Sequence, residues 1–478
     1  MSPTAIRIVI PSRVQIGQAF DLKIRVIGEP TVVSASGGWR DQKPGLRTPF
    51  NLNVQRQIQF VDNTAAAWRG ELRVDAADFE GPSRVVFDGQ ATGIYGGDRR
   101  PIQTISGCRF TEPGFHFVTL IDEESGLEAW SNPVMVTAAE PGWQIAWGDP
   151  HTHTFFTDGI RCPEDIYHFA RHEGFLDFCA LSDHSEGITD AQWLYFQAVT
   201  NAADDPGRFV TLIGQEWTNH LQENGAPGHR NIYVPGDSMP ILRCTDDGCR
   251  TLDELWATLD TWQTPVLALP HHSANVMMGT DWDQPWNPKY ETAVEIYSIW
   301  GNSERSEAAG NPRPIRACNG EMDGRHVQDA LRCGRRMSFI GGGDTHDGRP
   351  GDAQHAHSYP KRDFTPYEQG FTAAIVPELS RAAVYDAIAT GRTYATTASR
   401  IYLDITSDAG KLAVEAASEI PIATIELVLN GEDHLRQRYD QRTIDDSFDQ
   451  PELGPGDSLY LRLTTQGGQM AWGSPLYG

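Results

Sequence analysis

The chain has 478 residues, of which 39% are hydrophobic and 22% are charged; its formal net charge at pH 7 is −25 and its pI is near 4.9. This length predicts two or three domains rather than a single core. The strong negative charge repels phosphate backbones and anionic lipid surfaces, so we expect no nucleic-acid or membrane partner. An anionic substrate would need a local cation such as a bound metal ion.

The N-terminal stretch MSPTAIRIVIPSRVQIG has polar residues between its aliphatic ones and lacks the basic start and apolar core of a secretory signal. No apolar run is long enough to span a membrane. The seven cysteines are an odd number and are widely scattered, which favours a reducing compartment over a disulfide framework. The sequence therefore predicts a cytoplasmic protein. Cys244 and Cys249 flank a short loop, and the sequence leaves open whether they form a disulfide bridge or bind a metal ion.

Residues 1–142 are predicted to form a β-sandwich-like domain. Hydrophobic residues occupy alternate positions at Ile6, Ile8 and Ile10 and again over 20–26, which is the period of half-buried strands. Breaks rich in Gly, Pro, Asn and Asp separate these runs. The same alternation returns over residues 399–478 and predicts a C-terminal β module.

Residues 143–398 show a different pattern. Short apolar runs, among them DFCALSDH, FVTLIGQE, PVLALPHH, AVEIYSIW, SFIGGGD and GFTAAIVP, are separated by helix-like stretches. One helix is predicted to begin at Pro163 and end at Gly174. Continuous apolar strands that alternate with helices are typical of parallel β/α units, so we predict an α/β fold and a barrel-like arrangement.

Side chains with metal-binding chemistry follow these runs. In WGDPHTHTFFTDG, His151 and His153 are two residues apart and Asp158 follows in the loop. The carboxyl ends of strands in a β/α barrel converge on one face, so we expect the set to meet there. Nitrogen and oxygen donors in this number suit two or three Mn, Fe or Zn ions. The nine predicted ligands are His151, His153, Asp158, His184, Glu216, His271, Glu295, Asp344 and His346.

Purely structural roles remain open for single members of this set and its neighbours. Asp149 is a candidate for orienting a histidine, and Asp183 with His184 is a candidate helix cap. Glu295 is the hardest to explain in this way, because a carboxylate inside a buried strand needs a cation or a hydrogen-bond partner.

The order His-x-His, Asp-His, Glu, His and Asp-x-His resembles that of the PHP superfamily, the polymerase and histidinol-phosphatase-like metal-dependent phosphoesterases. GGDTHDGRPG and GRTYATTASRI are similar to patterns of a bacterial PHP-like family of poorly defined function with flanking β segments. The resemblance implies a distorted (β/α)7 TIM-like barrel with a di- or trinuclear site. It departs at Asp158, where many members have histidine, and the doublet His271-His272 leaves open which imidazole ligates, with His271 favoured.

The resemblance also implies an assignment of ligands to ions. The implied sets are His151, His153, Glu216 and Asp344 for one ion, Glu216, His271 and Glu295 for a second, and Asp158, His184 and His346 for a third.

These features together predict a metal-dependent hydrolase, most simply a phosphoesterase that uses a hydroxide bridging two metal ions. The predicted catalytic residues are Glu216, His272 and Asp344. The predicted substrate-binding residues are His229, Arg230, His272 and Arg349, acting on a small anionic molecule. Two alternatives stay open: cleavage of a sulfate ester, carboxylic ester or amide, and a non-catalytic binding scaffold.

Overall fold

The computed structural model describes residues 3–34, 60–89, 100–219, 227–358 and 366–478. These described residues are mostly β, with 43% in strands and 13% in helices. Within the described residues no helix is long and apolar enough to cross a membrane.

The N-terminal part consists of strands in three sheets. One sheet has the order β1-β3-β8-β6 with β4 on β3, a second has β11-β10-β5-β7, and a third has β2-β12-β9. Leu22 and Ile24 of the first sheet pack with Leu72 and Leu120 of the second in one core. The predicted β-sandwich therefore fits in part. The strands are β1 (Ala5–Val9), β2 (Arg13–Gln15), β3 (Phe20–Ser34), β4 (Phe60–Thr64), β5 (Arg69–Asp75), β6 (Phe79–Glu80), β7 (Arg84–Asp88), β8 (Ile102–Phe110), β9 (Gly114–His116), β10 (Thr119–Asp122), β11 (Leu127–Trp130) and β12 (Val134–Thr137).

The central part carries all six helices of the described residues. Its strands are β13 (Gln144–Asp149), β14 (Phe178–Ala180), β15 (Val210–Asn219), β16 (Gly228–Val234), β17 (Leu267–Pro270), β18 (Ala293–Ser298), β19 (Gly301–Asn302), β20 (Ser338–Gly341), β21 (Phe371–Val376) and β22 (Thr393–Thr396). Its helices are α1 (Pro163–His172), α2 (Asp190–Ala203), α3 (Leu252–Leu259), α4 (Val327–Arg332), α5 (His355–Ser358) and α6 (Arg381–Ala389).

Helix α1 begins at Pro163, as predicted, and Gly174 follows two residues after its end. Proline suits the first turn because its missing N–H would have no partner there. Ile166, Phe169 and Ala170 are buried on one side of the helix.

The predicted α/β fold with a (β/α)7 barrel is wrong. Helices α1 and α2 do connect the parallel neighbours β13, β14 and β15. However, β15, β16 and β17 pair antiparallel, and β21 joins β13 antiparallel. Antiparallel neighbours need no helical crossover, so the sheet forms a half-barrel instead of a ring of β/α units.

The C-terminal strands continue the central sheet. They are β23 (Tyr402–Asp408), β24 (Lys411–Leu429), β25 (Glu432–Asp449), β26 (Ser458–Thr465), β27 (Met470–Gly473) and β28 (Leu476–Tyr477). Because β22 pairs with β27, thirteen strands from β13 onward belong to one sheet, whereas β18, β19 and β20 form a separate one. The boundaries 1–142, 143–398 and 399–478 stay a prediction.

Candidate metal centre

The strands of the central part deliver the predicted ligands to one place. His151 and His153 follow β13, His184 follows β14, and Glu216 lies within β15. Parallel bridges join His184 to Glu216 and His271 to Glu295. These bridges hold the strand ends together although the barrel is incomplete.

Glu216 lies at the middle of this cluster. Its Oε1 is 2.6 Å from His229 Nδ1 and 3.1 Å from His271 Nε2. Its Oε2 is 3.1 Å from His184 Nδ1 and 3.3 Å from His153 Nε2. His151 Nε2 lies 3.8 Å from the same Oε2. The Glu216 side chain is 1% exposed, so five imidazoles surround one buried carboxylate.

Asp344 and Glu295 complete the buried side of the cluster. Asp344 Oδ1 lies 3.3 Å from His151 Nε2 and 3.1 Å from His153 Nε2, and these two nitrogens are themselves 3.3 Å apart. The other ring nitrogen of His151, Nδ1, lies 3.1 Å from Glu295 Oε2. Glu295, a carboxylate inside a buried strand, thus contacts an imidazole, as its burial requires.

Asp158 forms the third part of the cluster, on its more exposed side. Its Oδ2 is 3.2 Å from His346 Nε2 and 3.5 Å from His184 Nε2, and its Oδ1 is 3.5 Å from His153 Nδ1. The Asp158 side chain is 21% exposed. All nine predicted ligands therefore lie in one connected cluster; their roles as ligands stay a prediction.

Four subsets of these side chains have geometry suitable for a cation. In each subset the potential ligand atoms lie within 4.8 Å of one another. The subsets are His153, Asp158, His184 and His346; Glu216, His229, His271 and His272; His151, His153 and Glu216; and His151, His271 and Asp344.

Several buried atoms of the cluster have no hydrogen-bond partner within the described part of the chain. They are His153 Nδ1, Glu216 Oε2, His271 Nδ1 and His272 Nδ1. His184 Nδ1, the nitrogen nearest Glu216 Oε2, is instead hydrogen-bonded to Thr218 Oγ1 at 2.6 Å. Unpaired buried polar atoms are costly and call for an explanation such as an ion. The donor set fits divalent metal.

The charges within the cluster shift its pKa values in opposite directions. Burial raises the pKa of Glu216, but the facing imidazoles of His184, His271 and His229 outweigh burial and hold it well below the usual range. The pKa of Asp344 is held well below its usual range in the same way, mainly by His151. Burial, together with His151, lowers the pKa of His271 to about 3. Ionised carboxylates and a neutral imidazole are the forms that bind metal.

Two residues of the cluster adopt backbone angles that side chains rarely take. Asp344 has φ 49° and His272 has φ 32°. Such conformations cost on the order of 1–3 kcal/mol each and concentrate at functional sites. Gly342, just before Asp344, lies so close to Glu295 that a Cβ there would overlap its carboxylate.

Further residues hold the cluster in position. Asp149 Oδ1 accepts hydrogen bonds from the backbone N–H of His151 and of Gly343, at 3.0 and 2.7 Å. Burial raises the pKa of Asp149 to about 7. Asp183 accepts from the Thr154 and Thr157 hydroxyls at 2.8 and 2.7 Å, so it fixes the loop that carries Asp158 rather than capping a helix.

Two further residues hold the cluster in position and were not predicted from the sequence. The indole N–H of Trp300 donates to Asp344 Oδ2. The backbone N–H of His346 donates to His355 Nε2 at 2.9 Å. Trp300 is the last residue of the apolar run AVEIYSIW, and this position at a strand end was a weak signal. His355 follows no such run.

The structure places the predicted substrate-binding residues in two different environments. His229 and His272 line a cavity of about 120 Å³ together with Asp158, Trp300 and Asp344. Arg230 and Arg349 are not brought to this cavity, because other buried groups hold their guanidinium groups. Arg230 Nε donates to Glu291 at 2.8 Å, and Arg349 donates to Asp352 at 2.9 Å.

Replacement of Trp300 by Phe is expected to weaken metal binding about 10- to 100-fold, because it removes the hydrogen bond that orients Asp344. Titration of the metal-free protein with Zn²⁺, followed by calorimetry, measures this change. Trp286→Phe is the matched control, since that indole N–H has no hydrogen-bond partner in the described residues. Equal affinities for the two variants would contradict a role for Trp300.

Comparisons with known proteins give relatives without an assigned activity. A family model described as a protein of unknown function (DUF3604) matches residues 163–305. Uncharacterized proteins of Chlamydia muridarum and Chlamydia trachomatis are 24% identical over 404 residues and 25% identical over 408 residues. Both alignments cover 77% of this chain and 62% of the relative, so the chain spans less than two thirds of the length of these relatives.

Two solved structures are also similar. One is a two-domain protein from Bacteroides vulgatus that contains a predicted PHP-like metal-dependent phosphoesterase; it is 14% identical, covers 68% of this chain and 92% of its own, and has a TM-score of 0.35. The other is an FMN-binding β-glucuronidase, at 9% identity, 99% and 74% coverage, and a TM-score of 0.19. Scores this low do not establish a common fold.

Proposed function

We propose that the chain is a PHP-like metal-dependent hydrolase that cleaves phosphate esters of small anionic molecules. One observation carries the proposal: the buried Glu216 carboxylate has five imidazoles around it, and its Oε2 has no hydrogen-bond partner in the described residues. Bound cations would give a partner to that oxygen and to the unpaired imidazole nitrogens of His153, His271 and His272.

The donor set favours a certain kind of ion. Imidazole nitrogen mixed with carboxylate oxygen suits Mn, Fe or Zn better than Ca, which takes oxygen donors alone. His151, His153, Glu216 and His271 each belong to two of the four subsets. Two or three ions with common ligands therefore fit better than separate sites. When bound, such ions lower the pKa of coordinated water and neutralise charge on a phosphoryl group.

The chain's own residues would bind and orient the substrate. His229 and His272 line the cavity beside the cluster, where imidazole N–H groups donate to phosphate oxygens. Burial, with the charges of His271 and His229, holds the pKa of His272 well below its usual range, so His272 would act as a neutral donor. A cavity of about 120 Å³ is small, so it suits the reacting group while the rest of the substrate lies outside.

Phosphate is the favoured electrophile because the cavity wall is rich in imidazole and the clustered donors fit several cations, which would offset the repulsion between a phosphoryl group and a chain of net charge −25. Ligand sets define the nucleophile more than the bond attacked, so sulfate esters, carboxylic esters and amides remain the second candidates. A non-catalytic scaffold is disfavoured, because all nine predicted positions carry donor side chains that meet in one cluster.

Metal analysis combined with a substrate panel tests the proposal. The full chain, loaded with Mn²⁺ or Zn²⁺, is expected to hold two or three ions and to hydrolyse p-nitrophenyl phosphate or its diesters. A chelator should abolish turnover. His271→Ala should lower both metal content and turnover, whereas His434→Ala, an exposed histidine on β25, should change neither. Full metal loading without cleavage of any phosphate ester would refute the phosphoesterase assignment.

A further inference from the structure

A second and larger cavity lies between the N-terminal sheets and the central part of the chain. It measures about 730 Å³ and is lined by residues 9–14, the starts of β3, β8 and β13, and the end of α1. Strand β13 contributes its first residues to this cleft, whereas His151 and His153 follow its other end. The cleft is therefore separate from the metal centre.

The lining of this cleft is rich in cationic side chains, although the chain has a net charge of −25. Three acidic residues also line it: Asp21, Glu173 and Asp177. The basic residues are Arg13, Lys23, Arg100, His168, Arg171, His172 and Arg208.

Two of the acidic groups have partners of their own. Glu173 lies 3.4 Å from Arg25 and also contacts Arg100. Asp177 Oδ2 accepts from the backbone N–H of Trp147 at 2.9 Å. Glu173 thus pairs with arginines of the N-terminal part, and Asp177 fixes the backbone of β13. Neither carboxylate pairs with Lys23 or Arg208.

Two cations of the lining, Lys23 and Arg208, have no counter-charge among the described residues. Arg13 pairs with Asp404 at 3.7 Å and Arg171 with Asp205 at 2.6 Å. Lys23 and Arg208, in contrast, form no ion pair with any described residue, and neither do His168 and His172. The rings of His168 and His172 are 4.7 Å apart. Burial, and then His168, Arg171 and Lys23, lower the pKa of His172 to about 4, so this imidazole is neutral at pH 7 and adds a hydrogen-bonding group rather than a charge to the lining.

We propose that this cleft binds a small molecule that carries two or more negative oxyanion charges. Its volume lies within the range of roughly 300–1,000 Å³ that is usual for small-molecule sites. Lysine and arginine side chains are the usual partners of phosphate and carboxylate groups. The site is independent of the proposed hydrolase activity, because it lies at the opposite end of β13 from the metal ligands.

Calorimetric titration of the metal-free full chain with inorganic pyrophosphate tests this site. We expect saturable binding, and the double variant Lys23→Gln, Arg208→Gln should bind at least about 10-fold more weakly because two charge-assisted contacts are lost. Glu216→Gln should bind as the wild type does, which separates the cleft from the metal centre. Arg69→Gln, an exposed arginine on β5 outside the cleft, is the matched control.

A parallel titration with tricarballylate distinguishes the two sources of oxyanion. Tighter binding of pyrophosphate assigns a phosphate ligand, and tighter binding of tricarballylate assigns a carboxylate ligand. The proposal is overturned if the wild type binds neither probe, or if the double variant, folded with an unchanged melting temperature, binds both as tightly as the wild type.

Discussion

Replacement of Glu216 by Gln is expected to remove at least one ion from the metal centre and to lower turnover by well over about 100-fold. Even loss of an outer partner of a ligand commonly costs 10- to 100-fold, and Glu216 belongs to two of the four subsets. The amide keeps the shape of the side chain but removes the charge that faces His153, His184, His229 and His271. Metal content per chain and the initial rate with p-nitrophenyl phosphate measure the effect.

Glu304→Gln is the matched control for this change. Glu304 is also a buried carboxylate, but it binds Arg462 at 2.6 Å and accepts from Tyr460 and Trp472 away from the cluster. This variant should lose stability yet retain its metal and its rate per folded molecule. If Glu216→Gln kept a full complement of ions, the carboxylate would not be a shared ligand and the proposed centre would be wrong.

The sequence allowed us to predict that the nine ligand side chains lie in one cluster, because this prediction requires only that the strand ends converge. Asp344 and His346 follow β20, and His271 follows β17, and each position was visible as polar residues after an apolar run. The supporting residues were not visible in this way. Trp300 acts through one indole N–H on Asp344, a contact that depends on side-chain geometry rather than on spacing.

The prediction of a (β/α)7 barrel was wrong because apolar runs indicate that a strand is buried but not in which direction it runs. Strand β16, GHRNIYV, is buried along its whole length but contains three polar residues, so it was not recognised as a strand. Its antiparallel pairing with β15 and β17 breaks the β/α series. The prediction that Arg349 binds substrate failed for a similar reason. Its actual partners are Asn63 in β4 and Asp352, and the pairing with Asn63 is visible only in the tertiary fold.

Replacement of Asp352 by Asn is expected to destabilise the protein by about 3–5 kcal/mol, the usual cost of breaking a buried ion pair from one side. Asp352 binds Arg7 at 2.7 Å, Arg25 at 3.0 Å and Arg349 at 2.9 Å. Arg7 and Arg25 belong to β1 and β3, so this carboxylate joins the N-terminal sheets to the segment that follows His346. Denaturant unfolding of the full chain measures the loss.

A second replacement shows whether the effect comes from the unpaired charge. Adding Arg25→Met to Asp352→Asn should restore part of the lost stability, because it removes one of the three arginines that face a neutral amide in the single variant. Asp449→Asn removes a carboxylate from an exposed pair with Lys411 and should leave unfolding unchanged. A double variant that is less stable than Asp352→Asn would show that packing, not charge, dominates at this junction.

The same carboxylate predicts how stability depends on pH. Burial raises the pKa of Asp352, but Arg7, Arg25 and Arg349 outweigh burial and hold it below its usual value of 3.8. The folded state therefore binds this proton more weakly than the unfolded state, so stability rises with pH through this range. The contribution is fully present above roughly pH 4 and is lost as the pH falls through the folded-state pKa. Asp352→Asn has no such proton, so between about pH 5 and pH 2 its free energy of unfolding should fall less steeply than that of the wild type. Parallel slopes for the two proteins would mean that other carboxylates, and not Asp352, determine the acid sensitivity of the fold.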